Sequence, residues 1–291
     1  MRDDPNNLRF AIVIPAYNED KNIESCLVSL LNQSLKPKSI IVVDDSSTDK
    51  TAEVVKAYEK SNTIIKYMLN PSLSKHEPGS KVIRAFNTGL KRLDLKQYDI
   101  ICKFDADLIF PPGYLSELSY AFNSNPNLGL CGGVCAIKLN SEWKTENLTN
   151  TDHVRGALKA YRTQAFLAIE GLATQMGWDT ADEFKLRYKD WEIEVLEDLK
   201  VKHLKPTASV YNSSFLKKQG QVFFALRYGL FLTVIAALKI AFKQKNMFKT
   251  IDVIQAYIKS KRNNVEYLLT VEEGMLLRKY RWKQIWRKLI P

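Results

Sequence analysis

The stretch FAIVIPAYNEDKNIESCLVSLLNQSLKPKSIIVVDDSSTD, residues Phe10–Asp49, carries a strand, a helix and a second strand in order. Phe10–Ile14 is a short apolar run rich in β-branched residues and closed by Pro15. A run of this kind, bounded by a turn signal, reads as a strand buried on both faces. Pro15, which has no N–H to donate, is expected to stop ladder pairing there. Lys21–Asn32 is helical in pattern, and Ser39–Val43 is the next apolar run. Outward from this unit, Thr48–Ser61 and Gly79–Leu93 read as helices, and Ile64–Met68 and Ile100–Phe104 as strands. This rhythm predicts an α/β fold, with a mixed, mainly parallel sheet flanked by helices. Pro111-Pro112-Gly113 then breaks the chain before a helix at Tyr114–Asn123, and Leu128–Val134 reads as a further strand. Ser141–Lys205 mixes loop, helix and short strand, and from Ser213 onward the pattern is helical and basic. The predicted division is an α/β domain over residues 1–215 and a helical, basic region over 216–291.

The 291 residues are 45% hydrophobic and 26% charged, enough apolar material for a sizeable core, which excludes a disordered chain. Forty-three Lys and Arg outnumber 32 Asp and Glu, leaving a net charge of +11 and favouring polyanionic partners. The excess is uneven. From Lys243 to Pro291, 12 basic residues stand against 4 acidic ones, so this tail holds eight of the eleven charges. A basic nucleic-acid-binding protein is one alternative, but no recognition motif for nucleic acid accompanies the charge, and no nucleic-acid partner is expected. Cys26, Cys102, Cys131 and Cys135 form no CxxC pair and read as reduced, buried thiols of a cytoplasmic protein. The first ten residues, MRDDPNNLRF, are unlike a signal peptide. Val222–Phe242 is the longest apolar stretch, interrupted by Arg227 and Lys239, and reads as a buried or membrane-surface helix.

In open parallel sheets, ligands bind beyond the carboxyl ends of the strands. After the first strand come Pro15, Tyr17 and Glu19, with Tyr17 offering a flat face for a base. After the second come Asp44-Asp45-Ser46-Ser47-Thr48-Asp49, whose adjacent carboxylates can accept from a base edge or ribose hydroxyls. Ser47 or Thr48 can also cap the helix that follows, with Asp49 near its positive end. After the fourth strand comes Asp105-Ala106-Asp107. Alternation along a strand would turn both carboxylates the same way, where they could hold a hard divalent cation that bridges diphosphate oxygens.

IPAYNE at Ile14–Glu19, VVDDSSTD at Val42–Asp49 and FDADL at Phe104–Leu108, in this order, resemble the family-2 glycosyltransferases, which have the GT-A nucleotide-diphospho-sugar transferase fold. The resemblance implies an inverting transfer from an NDP-sugar donor, with Mg or Mn bound through the Asp-x-Asp element. It places Pro15, Tyr17 and Glu19 in the first nucleotide loop, Asp45 as the base reader, and Lys81 in the helix that closes over the nucleotide. Asp105 would contact ribose or metal and Asp107 would be the direct metal ligand. His203 falls where some relatives have a further metal or diphosphate contact, and a strand-end histidine is the plainer alternative. In the family the catalytic base is an Asp at the start of an acceptor-side helix, often within Glu-Asp. This sequence has Asp182-Glu183 in that region, so Asp182 is the first candidate, with Glu183 and Asp179 as rivals. The family's processive synthases carry Gln-x-x-Arg-Trp after the base, and no match occurs here, which favours transfer of a single sugar. The acceptor implied is a saccharide or lipid-linked hydroxyl in cell-surface polysaccharide or glycolipid synthesis. A sugar nucleotidyltransferase, the other enzymatic alternative, would want a glycine-rich loop where Pro15-Ala16-Tyr17-Asn18-Glu19 stands.

Lys217, Lys218 and Arg227 are candidates for a cation that meets the departing diphosphate, or else solvated helix charges. Beyond them, Phe223, Phe224, Leu226, Leu230, Phe231 and Val234 supply an apolar face. Later, Trp282, Ile285 and Trp286 alternate with Arg281, Lys283 and Arg287. Aromatic and basic residues at helical spacing suit an anionic bilayer surface, so a cytoplasmic enzyme peripheral to the inner face of the membrane is expected.

Overall fold

A computed structural model describes residues 8–71, 80–146, 152–205, 213–243, 246–247 and 249–289. The elements in chain order are β1 (Phe10–Ala16), α1 (Ile23–Leu31), β2 (Ser39–Asp44), α2 (Thr51–Ser61), β3 (Ile65–Leu69), α3 (Ser80–Leu90), β4 (Ile100–Phe104), β5 (Leu108–Ile109), α4 (Tyr114–Ser124) and β6 (Leu128–Leu139). There follow β7 (Glu142–Thr145), β8 (Leu158–Arg162), α5 (Thr163–Ala168), α6 (Trp178–Tyr188), β9 (Glu192–His203), α7 (Ser213–Ala225), α8 (Gly229–Lys243), α9 (Lys249–Arg262) and α10 (Val271–Leu289). The chain divides into two compact units, Met1–Thr174 with Lys189–Pro206, and Gln175–Tyr188 with Thr207–Pro291.

The first unit is built on one sheet in the order β3-β2-β1-β4-β8-β6-β9-β5, with β7 paired to β6. β1 to β4 pair in parallel, β8 runs against both β4 and β6, β6 and β9 are parallel, and β5 runs against β9. The chain moves outward from β1 to β2 and β3, then returns to place β4 on the other side of β1. The strand order therefore reverses between β1 and β4, which opens a crevice at their carboxyl ends.

Pro15 shapes that crevice. Contrary to the sequence expectation it does not stop pairing with β2, which continues through Pro15–Val43 and Ala16–Asp44. Pairing with β4 ends at Val13–Lys103. Ala16 O accepts from Asp45 N on the β2 side. Backbone groups alternate sides along a strand, so the missing Pro15 donor falls on the β4 side, where the two strands part.

Helices cover the sheet through close contacts that limit side-chain size. α3 lies on β1 and β2 at Gly89, where an added Cβ would stand 2.6 Å from Val13 Cγ1 and 2.8 Å from Val43 Cγ2. On the other face Ile12, Ile14, Val42, Cys102 and Phe104 pack with Leu27 and Leu30 of α1 and Tyr114, Leu118 and Phe122 of α4. All four cysteines are buried and free. Burial holds their thiol pKa values above the ordinary range, to about 12 for Cys135.

The second unit is helical. The apolar stretch Val222–Phe242, read from the sequence as a single helix, is two. α7 ends with Arg227 in the left-handed region (φ 54), Arg227 N bonded to Phe224 O and Tyr228 N to Phe223 O. This Schellman pattern satisfies the last carbonyls of α7 and turns the chain into α8. The Arg227 guanidinium lies 3.5 Å over the Tyr267 ring, and its Nε donates to Leu269 O at 2.7 Å. Leu216, Phe223, Ala237 and Val253 form the local core, and Phe184 of α6 meets Tyr280 of α10 edge to face. Among the described residues, no helix is long and apolar enough to cross a membrane.

Candidate functional site

The loops after β1 and β2 are tied to each other by hydrogen bonds. Asn18 and Ser46 both hold positive φ (53 and 63), a conformation that non-glycine residues adopt only when their surroundings fix it. Asn18 N donates to Ser47 Oγ and Thr48 N to Asn18 Oδ1, each near 2.8–2.9 Å. Glu19 N donates to Thr51 Oγ1 and Asp20 N to Asp49 Oδ2. Ser47 and Thr48 are therefore used between loops and do not cap α2, whose N-cap is Lys50 with no side-chain cap. Asp44 is likewise spent on the scaffold, accepting from Ser47 N and from the Tyr67 hydroxyl.

This framework leaves Asp45 as the carboxylate facing the rim. It accepts from Asn70 Nδ2 at 2.7 Å, and Lys81 Nζ of α3 stands 3.9 Å from its other oxygen. Lys81 also sits 5.9 Å over the ring of Tyr17, which is 51% exposed. Tyr17, Asp45 and Lys81, drawn from three separate loops and helices, thus meet as a flat face, an acceptor and a cation. Glu19 points elsewhere, bonded to Asn22 Nδ2 at 2.8 Å and to Lys205 Nζ at 2.7 Å beyond β9. Burial pushes its carboxyl up from the ordinary range, against the pull of Lys205 and Asn22, and the charge of Asp107 adds to the rise.

Asp105 and Asp107 do not lie on a strand. β4 ends at Phe104, and a turn carries both residues to β5, so strand alternation does not govern them. Asp105 pairs with the buried Lys103, whose ammonium also donates to Gly156 O at 3.0 Å. Asp107 is buried, and its Oδ2 is 3.3 Å from His203 Nε2. The short β5–β9 ladder, Leu108 opposite His203, makes this meeting. Burial works against protonation of His203, but the hydrogen bond and charge of Asp107 outweigh it and hold the imidazole pKa above its ordinary value.

A buried carboxylate not singled out in the sequence completes the cluster. The β6–β7 hairpin brings Glu146 beside His203, with Oε2 3.6 Å from Nδ1, and Arg155 pairs with the same carboxylate. Among the described residues, Glu146 Oε1 and His203 Nδ1 are buried with no hydrogen-bond partner. No motif marks Glu146, because its position depends on the hairpin register. Lys103, two residues before Asp105, was the one neighbour the spacing could have shown.

Among the described residues, no group of three or more His, Cys, Asp and Glu side chains is arranged to hold a metal ion by itself. The pair Asp107 and His203 still fits a cation that takes most of its ligands from elsewhere. Mg-type ions on nucleotides keep only one or two protein carboxylates and draw the rest from phosphate and water.

Asp182 and Glu183 lie in α6, in the second unit, and both are buried; Asp182 Oδ1 accepts from Glu183 N at 2.7 Å. Arg227 is in that unit too, engaged as described above. The side chain of Lys217 and the residue Gly79 lie outside the described residues.

A mixed sheet with this switch point and these rim loops defines a GT-A nucleotide-diphospho-sugar transferase fold, with a C-terminal helical extension. The pattern of Glycosyl transferase family 2 matches residues 11–178, and the chain belongs to that family. One relative, the GalNAc(5)-diNAcBac-PP-undecaprenol beta-1,3-glucosyltransferase of Campylobacter jejuni, is 31% identical over 115 residues, 40% of this chain and 35% of that protein. Another, the poly-beta-1,6-N-acetyl-D-glucosamine synthase of Staphylococcus aureus, is 31% identical over 124 residues, 42% of this chain and 27% of that one. The chain thus spans about a third of the length of these curated relatives. Among solved structures, the mannosyltransferase PcManGT of Pyrobaculum calidifontis, in complex with GDP-Man and Mn2+, superposes with a TM-score of 0.56 at 16% identity, covering 96% of this chain and 81% of that one. S. aureus TarS in complex with UDP-GlcNAc gives 0.56 at 19% identity, covering 74% and 65%. At these identities the likeness is one of fold.

Proposed function

We propose that this glycosyltransferase moves a single sugar, with inversion, from an NDP-sugar to a hydroxyl of a saccharide or lipid-linked acceptor, in cell-surface polysaccharide or glycolipid synthesis. What supports the reading is that Tyr17, Asp45 and Lys81 meet where the loops after β1 and β2 face α3, and that Asp107 meets His203 just beyond the end of β4. In this reading Tyr17 stacks on the base, Asp45 accepts from its edge, and Lys81 offsets phosphate charge. Pro15 keeps the crevice open and Glu19 ties the first loop to Lys205. Asp107 and His203 would hold a Mg or Mn ion, with Asp105 directed by Lys103 toward ribose or metal; when bound, the ion offsets the charge of the leaving diphosphate. Asp182, with Glu183 as its rival, takes the proton of the acceptor hydroxyl. That oxygen forms a bond to the anomeric carbon as the bond to the diphosphate oxygen breaks, on the opposite face. Arg227 is a further candidate to meet the diphosphate, through guanidinium donors other than Nε. A lipid-linked acceptor is supported by the undecaprenol named in the C. jejuni relative, and it would place the enzyme at the inner face of the membrane.

Titration calorimetry of UDP-, GDP- and dTDP-sugars with Mn, then with EDTA, tests the donor side. Asp107→Ala should abolish metal-dependent binding, and equal affinity in both conditions would refute the metal role. Asp182→Asn should bind donor normally and lose turnover by about a hundredfold or more. A near-normal rate, with Glu183→Gln inactive, would move the base to Glu183.

A further inference from the structure

The apolar face expected from the sequence in the C-terminal region is only partly outside. Phe223, Phe224 and Leu226 are buried, whereas Leu230 and Phe231 are exposed, and Phe231 begins a row on α8 that faces solvent with Ile235, Leu238 and Phe242. These residues are spaced four, three and four apart, which places them on one face of a helix. Phe231 and Phe242, at its two ends, are each 82% exposed. α10 repeats the device. Met275, Trp282 and Trp286 are exposed at spacings of seven and four, and Lys279, Lys283 and Arg287 lie along one side of that row, exposed as well.

A monomeric protein leaves such rows open at a cost in solubility, so an exposed aromatic stripe marks a contact. The surrounding charge says which. From Arg227 to Lys249 the sequence has no Asp or Glu, and none follows Glu273, while six Lys and Arg stand between Arg278 and Lys288. Two apolar stripes in a stretch of sequence rich in Lys and Arg complement an anionic, apolar layer, with Trp and Phe at the acyl boundary and Lys and Arg at the headgroups. α8, with 15 residues, is about 22 Å long, too short to cross about 30 Å of hydrocarbon but suited to lying in the interface. We propose that the exposed faces of α8 and α10 dock the protein on an anionic bilayer surface, with Phe231 and Phe242 inserted. The proposal deepens the reading of a lipid-linked acceptor and rests on it for its purpose, but docking itself needs no donor or acceptor.

Cosedimentation of the full chain with phosphatidylcholine vesicles, alone or with phosphatidylglycerol, tests it without any substrate. Binding is expected only with the anionic lipid, to weaken with salt, and to be accompanied by a blue shift of tryptophan emission. Phe231→Ser and Phe242→Ser should each reduce partition about tenfold, and the pair about a hundredfold, from the aromatic area left in water. Both side chains are exposed, so circular dichroism and melting should not change. Undiminished partition of the double variant would overturn the proposal, as would a wild-type dimer that the variant dissolves, or tighter binding to RNA than to vesicles. Vesicle binding with no glycosyl transfer would retire the enzymatic reading and leave the docking surface standing.

Discussion

Asp107 and His203 are 96 positions apart and meet because two residues of β5 pair with the end of β9. At the residue scale, the next question is what holds the imidazole. Its Nδ1 faces Glu146, whose carboxylate is gripped by Arg155 on one oxygen and, among the described residues, has no hydrogen-bond partner on the other. A carboxylate behind a metal-binding histidine fixes ring orientation and tautomer, and its removal lowers metal affinity about 10–100-fold. If His203 holds the metal as proposed, Glu146→Gln should weaken Mn binding by that factor, read from the free-ion signal in electron paramagnetic resonance without turnover. Unchanged affinity would confine Glu146 to holding Arg155. At the opposite end of the strands, Arg9 Nε and Nη2 each reach Asp99 at 3.0 Å. The hydrogen bond from Arg9 holds the Asp99 carboxyl below its usual range. A depressed folded pKa stabilises the protein above the unfolded carboxylate pKa and loses that effect as pH falls through the folded value. With the Asp99 side chain 34% exposed, the stabilisation is about 1 kcal/mol or less. Asp99→Asn should cost that much in urea unfolding at pH 7 and nothing once pH is well below about 3.8. A gap that persists in acid would show that the pair acts through packing.

Elements carry the next layer of constraint, and α3 shows it most directly. Gly89 lets the helix approach until Val13 and Val43 fill the space a side chain would take. Both neighbours are β-branched and stiff, so neither can swing away. Gly89→Ala should cost about 1–3 kcal/mol in thermal unfolding despite its better helix propensity. A stabilised variant would mean that α3 can lift off the sheet freely. How much of this was legible in the sequence follows the same physics. Apolar runs and helical periodicity mark β1, β2, β4 and α1 within a few residues, because each is buried on the face its pattern announces. Tyr17, Asp45 and Asp107 were legible from their places at strand ends, and His203 from family resemblance. Glu146 and Arg155 were not, since no local pattern encodes the register of the β6–β7 hairpin. Nor did the spacing foretell the Arg227 turn. A left-handed arginine is stabilised by Tyr267 and Leu269, some forty residues away in the chain.

At the scale of the whole molecule, charge and apolar surface are distributed together. Eight of the eleven net positive charges lie from Lys243 onward, and the same region exposes Trp282 and Trp286. If both features serve one bilayer contact, they should act on different variables. Apolar insertion is nearly indifferent to salt, whereas attraction to anionic lipid is worth about 1 kcal/mol per basic residue and is screened over about 8 Å at physiological ionic strength. Reversing three cations, Lys279→Glu, Lys283→Glu and Arg287→Glu together, should lower partition onto anionic vesicles more than a hundredfold at low salt and flatten its salt dependence. Phe231→Ser with Phe242→Ser should lower partition at every salt concentration and leave the slope as it was. If the charge variant keeps the wild-type slope, the attraction comes from another part of the surface, and α10 is not the face that meets the lipid.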